Sequence, residues 1–100
     1  MDVRQKVFDA VAAIPKGFVA TYGQIAKAAG IKSPRAVGQI IHRNTDPEHV
    51  PCHRVVFADG SLSTAYAFGG LKKQMEKLRG EGVSFTGEKV VLSENQLAAS

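Results

Sequence analysis

The sequence predicts a small, mainly α domain built around a helix-turn-helix, with a short β-hairpin. Three observations lead there. Apolar residues at helical spacing, or cap and stop residues, mark four separate stretches as helices. Two of those stretches are joined only by Gly30-Ile31-Lys32-Ser33, the tight link of a helix-turn-helix. The strongest hairpin signal, Asp59-Gly60, follows a β-branched run of only a few residues.

The elements follow in chain order. Val3, Val7, Val11 and Ile14, with Phe8 beside them, form one amphipathic helix that Pro15 and Gly17 stop. Phe18 to Ala20 is a short extended link. Thr21 caps a second helix, Tyr22 to Ala29, which Gly30 closes. Ser33 caps a third, with Pro34 as its first helical residue, where a missing N–H is harmless. Its apolar stripe is Val37, Ile40 and Ile41, and it ends near Arg43-Asn44. After the loop Asp46-Pro47-Glu48-His49, Val55 to Phe57 reads as a strand that turns back at Asp59-Gly60. Ala65 to Gly70 is an irregular loop. Leu71, Met75 and Leu78 place a fourth helix over about 71–80, ended by Gly80-Glu81-Gly82. Short extended pieces follow at Val83–Phe85 and Lys89–Leu92. Together these make a small winged-helix-like domain over residues 1–92, with a flexible tail over 93–100.

Composition narrows the function classes. With 44% hydrophobic and 22% charged residues the chain reads as an ordinary soluble domain. No apolar run approaches bilayer length, and no apolar segment follows the N-terminus as in a secretory signal. One cysteine forms no internal disulfide, which suits a reducing cytoplasm. His42, His49 and His53 lack tight ligand spacing, so no metal site is expected. The net charge of +4 points towards nucleic acid. Arg35, His42, Arg43, His53 and Arg54 cluster around two motifs, while Glu76, Glu81, Glu88 and Glu94 lie towards the C-terminus.

The first motif is the start of the third helix. Its first turn offers one long side chain, Arg35, among Pro34, Ala36 and Gly38. A reader of base edges in the major groove exposes several long polar side chains. Small residues instead let the backbone approach a narrow groove, and a lone arginine can fill the stack that a flipped base has left. The plainer alternative is an arginine that pairs with phosphate.

The second motif is Val50-Pro51-Cys52-His53-Arg54-Val55-Val56. Attack by Cys52 needs its thiolate, a minor species at neutral pH for an ordinary thiol. An adjacent imidazole can take the proton. In a strand, neighbouring side chains face opposite ways, so contact between Cys52 and His53 needs an irregular backbone or a bridging water. Pro51 favours the irregular backbone. His53 also needs a partner to set its tautomer, and Glu81 is the most plausible carboxylate. The alternatives are a buried structural cysteine and a satisfied core histidine.

From Ile14 to about Val83 the chain resembles the O6-alkylguanine-DNA alkyltransferases, which accept an alkyl group from damaged guanine on their own cysteine. The matching features occur in order. They are Pro15-Lys16-Gly17, Thr21-Tyr22-Gly23-Gln24-Ile25-Ala26, Pro34-Arg35-Ala36-Val37-Gly38, Arg43-Asn44, Pro51-Cys52-His53-Arg54-Val55, Tyr66, Gly69-Gly70-Leu71 and Glu81-Gly82. The resemblance implies that Cys52 is the alkyl acceptor, that His53 deprotonates it through a water, and that Glu81 orients His53. It implies that Asn44 supports the reactive turn and that Arg35 is the intercalating finger. Tyr22 would rotate the phosphate beside the flipped nucleotide, with Ala36, Gly38 and Arg43 also at the DNA. Tyr66, Pro51, Val55 and Ala67 would line the base pocket. The implied partner is duplex DNA containing O6-alkylguanine, held through its minor groove by a monomer. The product is a stable thioether, so each molecule acts once and needs no cofactor.

Two departures qualify the resemblance. Many relatives carry a further N-terminal domain, and in length the chain looks like the alkyltransferase-like proteins, lesion sensors that usually have tryptophan or alanine in place of the cysteine. The loop Ser61 to Gly70 also differs, with Ala65 and Phe68 around Tyr66. A preference for small adducts such as methyl is the expected result. The competing readings are a non-catalytic sensor that recruits other repair proteins, a plain helix-turn-helix regulator, and a cysteine hydrolase, which nothing resembling an oxyanion hole supports.

Overall fold

A computed structural model describes residues 2–46, 48–62 and 69–97. The chain opens with α1 (Val3–Ala12), capped by the Asp2 carboxylate on the Arg4 N–H. Strand β1 (Ala20–Thr21) leads without a break into α2 (Tyr22–Ala29). Thr21 is the last strand residue and the helix cap together: its hydroxyl accepts from the Gln24 N–H, and the Gln24 side chain accepts from the Thr21 N–H. This reciprocal pair satisfies two donors that a helix start leaves open.

Gly30 ends α2 at φ +75°, where a left-handed residue is needed. The Ile31 N–H reaches back to the Ala26 carbonyl and the Gly30 N–H to that of Lys27. Ser33 then caps α3 (Pro34–His42), with Pro34 in the first turn. The helix-turn-helix expected from the link residues is therefore present. Val7 and Val11 of α1, Ile25, Ala26 and Ala29 of α2, and Val37 and Ile41 of α3 bury together.

A single 3-10 turn (Cys52–Arg54) runs into β2 (Val55–Val56). Here the structure corrects the expected hairpin. β2 pairs in parallel with β1, Ala20 opposite Val55 and Thr21 opposite Val56. The Asp59-Gly60 turn does form, with the Gly60 N–H on the Phe57 carbonyl and the Phe57 N–H on that of Ser61. Ser61, however, leaves β2 and bridges to Lys89. The antiparallel hairpin lies later, β3 (Phe85–Thr86) with β4 (Lys89–Val90), turning at Gly87.

The β1–β2 ribbon separates two apolar clusters. Successive residues of an extended chain face opposite sides. Ala20 and Val55 accordingly join the helical cluster, while Val19 and Val56 join a second one with Leu62, Leu78, Val83 and Val90. Helix α4 (Gly70–Gly80) supplies Leu78 to that second cluster.

The tail expected over 93–100 is also corrected, for residues 93–97. Helix α5 (Leu92–Asn95) buries Asn95, whose carboxamide bonds the Val91 carbonyl and the Ser84 hydroxyl. The Val19 N–H donates to the Asn95 carbonyl, and the Leu97 N–H donates to that of Val19. The segment thus lies beside β1, tied by backbone pairing that its polar composition does not advertise. No helix among the described residues is long and apolar enough to cross a membrane.

Candidate active site

The backbone around Cys52 is irregular for identifiable reasons. Pro51 sits at φ −75° and ψ 71°, the centre of an inverse γ-turn, with the Cys52 N–H on the Val50 carbonyl at 2.8 Å. Asn44, buried just past α3, donates its side-chain N–H to the same carbonyl at 2.8 Å. Its Oδ1 accepts the Asp46 N–H at 3.0 Å, so the carboxamide pins both ends of the 46–50 loop. The chain then coils into the 3-10 turn, where successive side chains splay by roughly 120°. The expected irregular backbone is present, and it separates the directions of Cys52 and His53.

Cys52 and His53 are both buried, at 4% and 6% exposure. Burial pushes the Cys52 thiol above its ordinary pKa, and the Asn44 side chain, which favours the thiolate, opposes that only in part. Burial likewise pushes His53 below its ordinary value, against the pull of its hydrogen bond to Glu81. The resting pair is therefore a neutral thiol beside a neutral imidazole.

Glu81 lies just after α4 and meets His53 Nε2 with Oε2 at 3.0 Å. A carboxylate only accepts, so Nε2 carries the hydrogen and Nδ1 carries the lone pair. Burial alone would raise the Glu81 pKa, but hydrogen bonds from Arg54 and His53 outweigh it and hold the group below the ordinary carboxylate value.

Arg54 is the residue that sequence reasoning left without a role. Its Nε and Nη2 grip the two Glu81 oxygens at 2.9 and 2.7 Å, and Nη1 donates to the Ile14 carbonyl beyond α1 at 2.8 Å. The ion pair of the site is thus Arg54–Glu81, a planar fork on a carboxylate, and His53 is its neutral third member. A second overlooked residue is Gln74, 1% exposed on α4, whose Nε2 donates to the backbone carbonyls of His53 and Val55. A polar residue within the Leu71, Met75, Leu78 stripe was the available signal.

The helix-turn-helix carries the residues assigned to DNA. Arg35 is exposed in the first turn of α3, and Arg43 is exposed at its C-cap. Ala36 and Gly38 are half-buried. A Cβ added to Gly38 would stand 3.8 Å from the Tyr22 ring. The Tyr22 ring also meets exposed Phe57, centroids 5.1 Å apart. Tyr22 also packs against the cluster that contains Cys52. Of the expected pocket residues, Pro51 and Val55 are buried beside the reactive turn, whereas Tyr66 and Ala67 lie outside the described residues. No group of three or more metal-ligating side chains occurs among the described residues.

Comparisons with known proteins agree with this geometry. The model of the DNA binding domain of 6-O-methylguanine DNA methyltransferase matches residues 2–83. Alkyltransferase-like protein 1 of Schizosaccharomyces pombe is 43% identical over 79 residues, 78% of this chain and 73% of its own length. The methylated-DNA–protein-cysteine methyltransferase of Methanothermobacter thermautotrophicus is 39% identical over 87 residues. That match takes in 87% of this chain but only 48% of the relative. Among solved structures, S. pombe Atl1 in complex with damaged DNA containing O6-carboxymethylguanine superposes with a TM-score of 0.84 at 35% identity, covering 96% of this chain and 94% of that one. The helix-turn-helix, the irregular Pro51-Cys52 turn and these matches together place the chain in the 6-O-methylguanine DNA methyltransferase family.

Proposed function

We propose that the protein repairs DNA by moving the alkyl group of O6-alkylguanine onto Cys52, once per molecule. The observation that carries this reading is the hydrogen bond from His53 Nε2 to Glu81, which leaves a lone pair on Nδ1 of the residue that follows Cys52 in the reactive turn. Duplex DNA docks on α2 and α3 through its minor groove, with Arg35 filling the stack and Tyr22 beside the flipped nucleotide. One S–C bond forms as the bond between the alkyl carbon and guanine O6 breaks. The thiol proton passes through a bridging water to His53 Nδ1, and Glu81 and Arg54 balance the imidazolium that forms. Guanine leaves as an anion and takes up a proton. No residue among those described is placed to remove the thioether, so turnover ends there.

A second reading has its own observation. The chain matches Atl1, solved in complex with damaged DNA, over 94% of that chain, against 48% of the methyltransferase. Under it, the protein binds the lesion and leaves the alkyl group in place. Intact mass after incubation with an O6-methylguanine duplex separates the two. A gain of one methyl group, abolished in Cys52→Ala, supports transfer. Tight lesion binding with no gain in mass refutes transfer and supports the sensor.

A further inference from the structure

Among the described residues, two buried side-chain atoms have no hydrogen-bond partner, His53 Nδ1 and Gln74 Oε1. The first is the lone pair that the proposed reaction uses. The second is a surplus, because the Gln74 carboxamide is anchored entirely through its other end. Nε2 donates to the His53 carbonyl at 3.0 Å and to the Val55 carbonyl at 3.2 Å. A flipped amide would set its oxygen against two carbonyl oxygens, so the orientation follows from chemistry. An apolar residue would suit the stripe between Leu71 and Leu78 better than a half-satisfied amide.

The two carbonyls flank Arg54. Neither serves the 3-10 turn, whose own bonds run from Arg54 N–H to Pro51 and from Val55 N–H to Cys52. Gln74 therefore grips the backbone of the segment whose side chains, His53 and Arg54, grip Glu81. Gln74 and Glu81 are seven residues apart on one helix and its C-cap, and seven residues return to the same helix face. One face of α4 thus holds the reactive segment twice, by its main chain at Gln74 and by its side chains at Glu81.

We propose that Gln74 is a positioning residue for Cys52 and His53 and that it acts through its donor alone. The rate readout below rests on the transfer reading. Gln74→Met removes the donor at nearly constant volume, and Gln74→Lys keeps a donor and discards the surplus acceptor. With a saturating O6-methylguanine duplex, Gln74→Met transfers at least tenfold more slowly, because a misplacement of about 1 Å is worth up to about 10²-fold in rate. Its affinity for the same duplex stays at the wild-type value. Gln74→Lys restores transfer to within about threefold of wild type, yet melts at a lower temperature than Gln74→Met because it buries an ammonium. Rate and stability then move in opposite directions, which a purely structural role does not produce. Wild-type rate in Gln74→Met, or equal slowness in Gln74→Lys, overturns the proposal. If the wild-type protein takes up no methyl group, the transfer reading fails by itself. The proposal is then decided by the rate at which iodoacetamide alkylates Cys52 without DNA. The same order, wild type and Gln74→Lys ahead of Gln74→Met, upholds it, and equal rates overturn it.

Discussion

Replacing Arg54 with methionine tests the charge arrangement of the site most sharply. The substitution keeps an unbranched stem and removes three hydrogen bonds, two to Glu81 and one to the Ile14 carbonyl. The side chains of Arg54 and Glu81 are 15% and 12% exposed, so the pair counts as largely buried. Removing one partner of a buried pair costs about 3–5 kcal/mol, and the residual exposure here sets the expectation near the low end, about 3 kcal/mol. Urea denaturation at pH 7 reads this directly. The double variant Arg54→Met/Glu81→Gln removes the stranded charge as well and recovers about 1–2 kcal/mol of the loss. The electrostatic consequence falls on His53. Burial and the Arg54 charge both hold the imidazole neutral, while Glu81 works the other way. Without Arg54, Glu81 keeps His53 as its side-chain partner among the described residues and draws a proton onto it. The His53 ring then titrates at higher pH by NMR, and under the proposed transfer function methyl uptake slows at pH 7 and recovers as pH rises. A loss below about 1 kcal/mol in Arg54→Met, with no recovery in the double variant, would show an exposed-type pair and refute this reasoning.

Further expectations concern stability. The folded pKa of His53 is depressed below 6.5, so its contribution is complete above that value and is lost as pH falls through the folded pKa. The folded pKa of Cys52 is raised above 9.0, so its contribution is complete below that value and is lost as pH rises through the folded pKa. Denaturation midpoints should therefore plateau between 6.5 and 9.0, with Cys52→Ala flattening the alkaline fall and His53→Gln the acid one. Gly60→Ala should destabilise by about 2–3 kcal/mol or more, because φ is +89° and the added methyl collides with the Val90 carbonyl. Gly30→Ala, with φ +75° and open space around it, should lose only about 1–2 kcal/mol. Equal losses in the two alanine variants, measured by urea denaturation, would refute the collision.

The helical part of this fold was legible because its signals are local. Thr21 and Ser33 act as caps, Gly30 takes the left-handed turn, and Pro34 opens α3, each within a few residues of the element it governs. The parallel ribbon was not legible, because two-residue strands carry no period and their partner lies 35 positions away, Ala20 against Val55. The 93–97 segment looked loose because it is held through main-chain pairing to Val19 and through the Asn95 carboxamide, neither of which leaves an apolar pattern. At the site, the adjacent Cys52 and His53 drew notice by their chemistry and Glu81 as a candidate carboxylate, while Asn44 came forward only through the family resemblance. Arg54 and Gln74 stayed in the background, since one passed for surface charge and the other for a polar spacer in a helix. Both act on neighbours distant in sequence, and only folding discloses that.

The joint at Thr21 has a mechanical consequence. The same residue ends the strand paired with β2 and starts the helix that bears Tyr22, and β2 itself begins where the Cys52 turn stops. The span from the DNA-facing helix pair to the sulfur is therefore gauged by a hydrogen-bonded ladder, not by the slack of a connecting loop. A slip of one register step would move one end against the other by about 3.3 Å and turn every ribbon side chain to the wrong core. In the proposed transfer, a nucleotide swung out of the helix must then travel a set reach before it meets the thiol, and that reach is written into two pairs of residues.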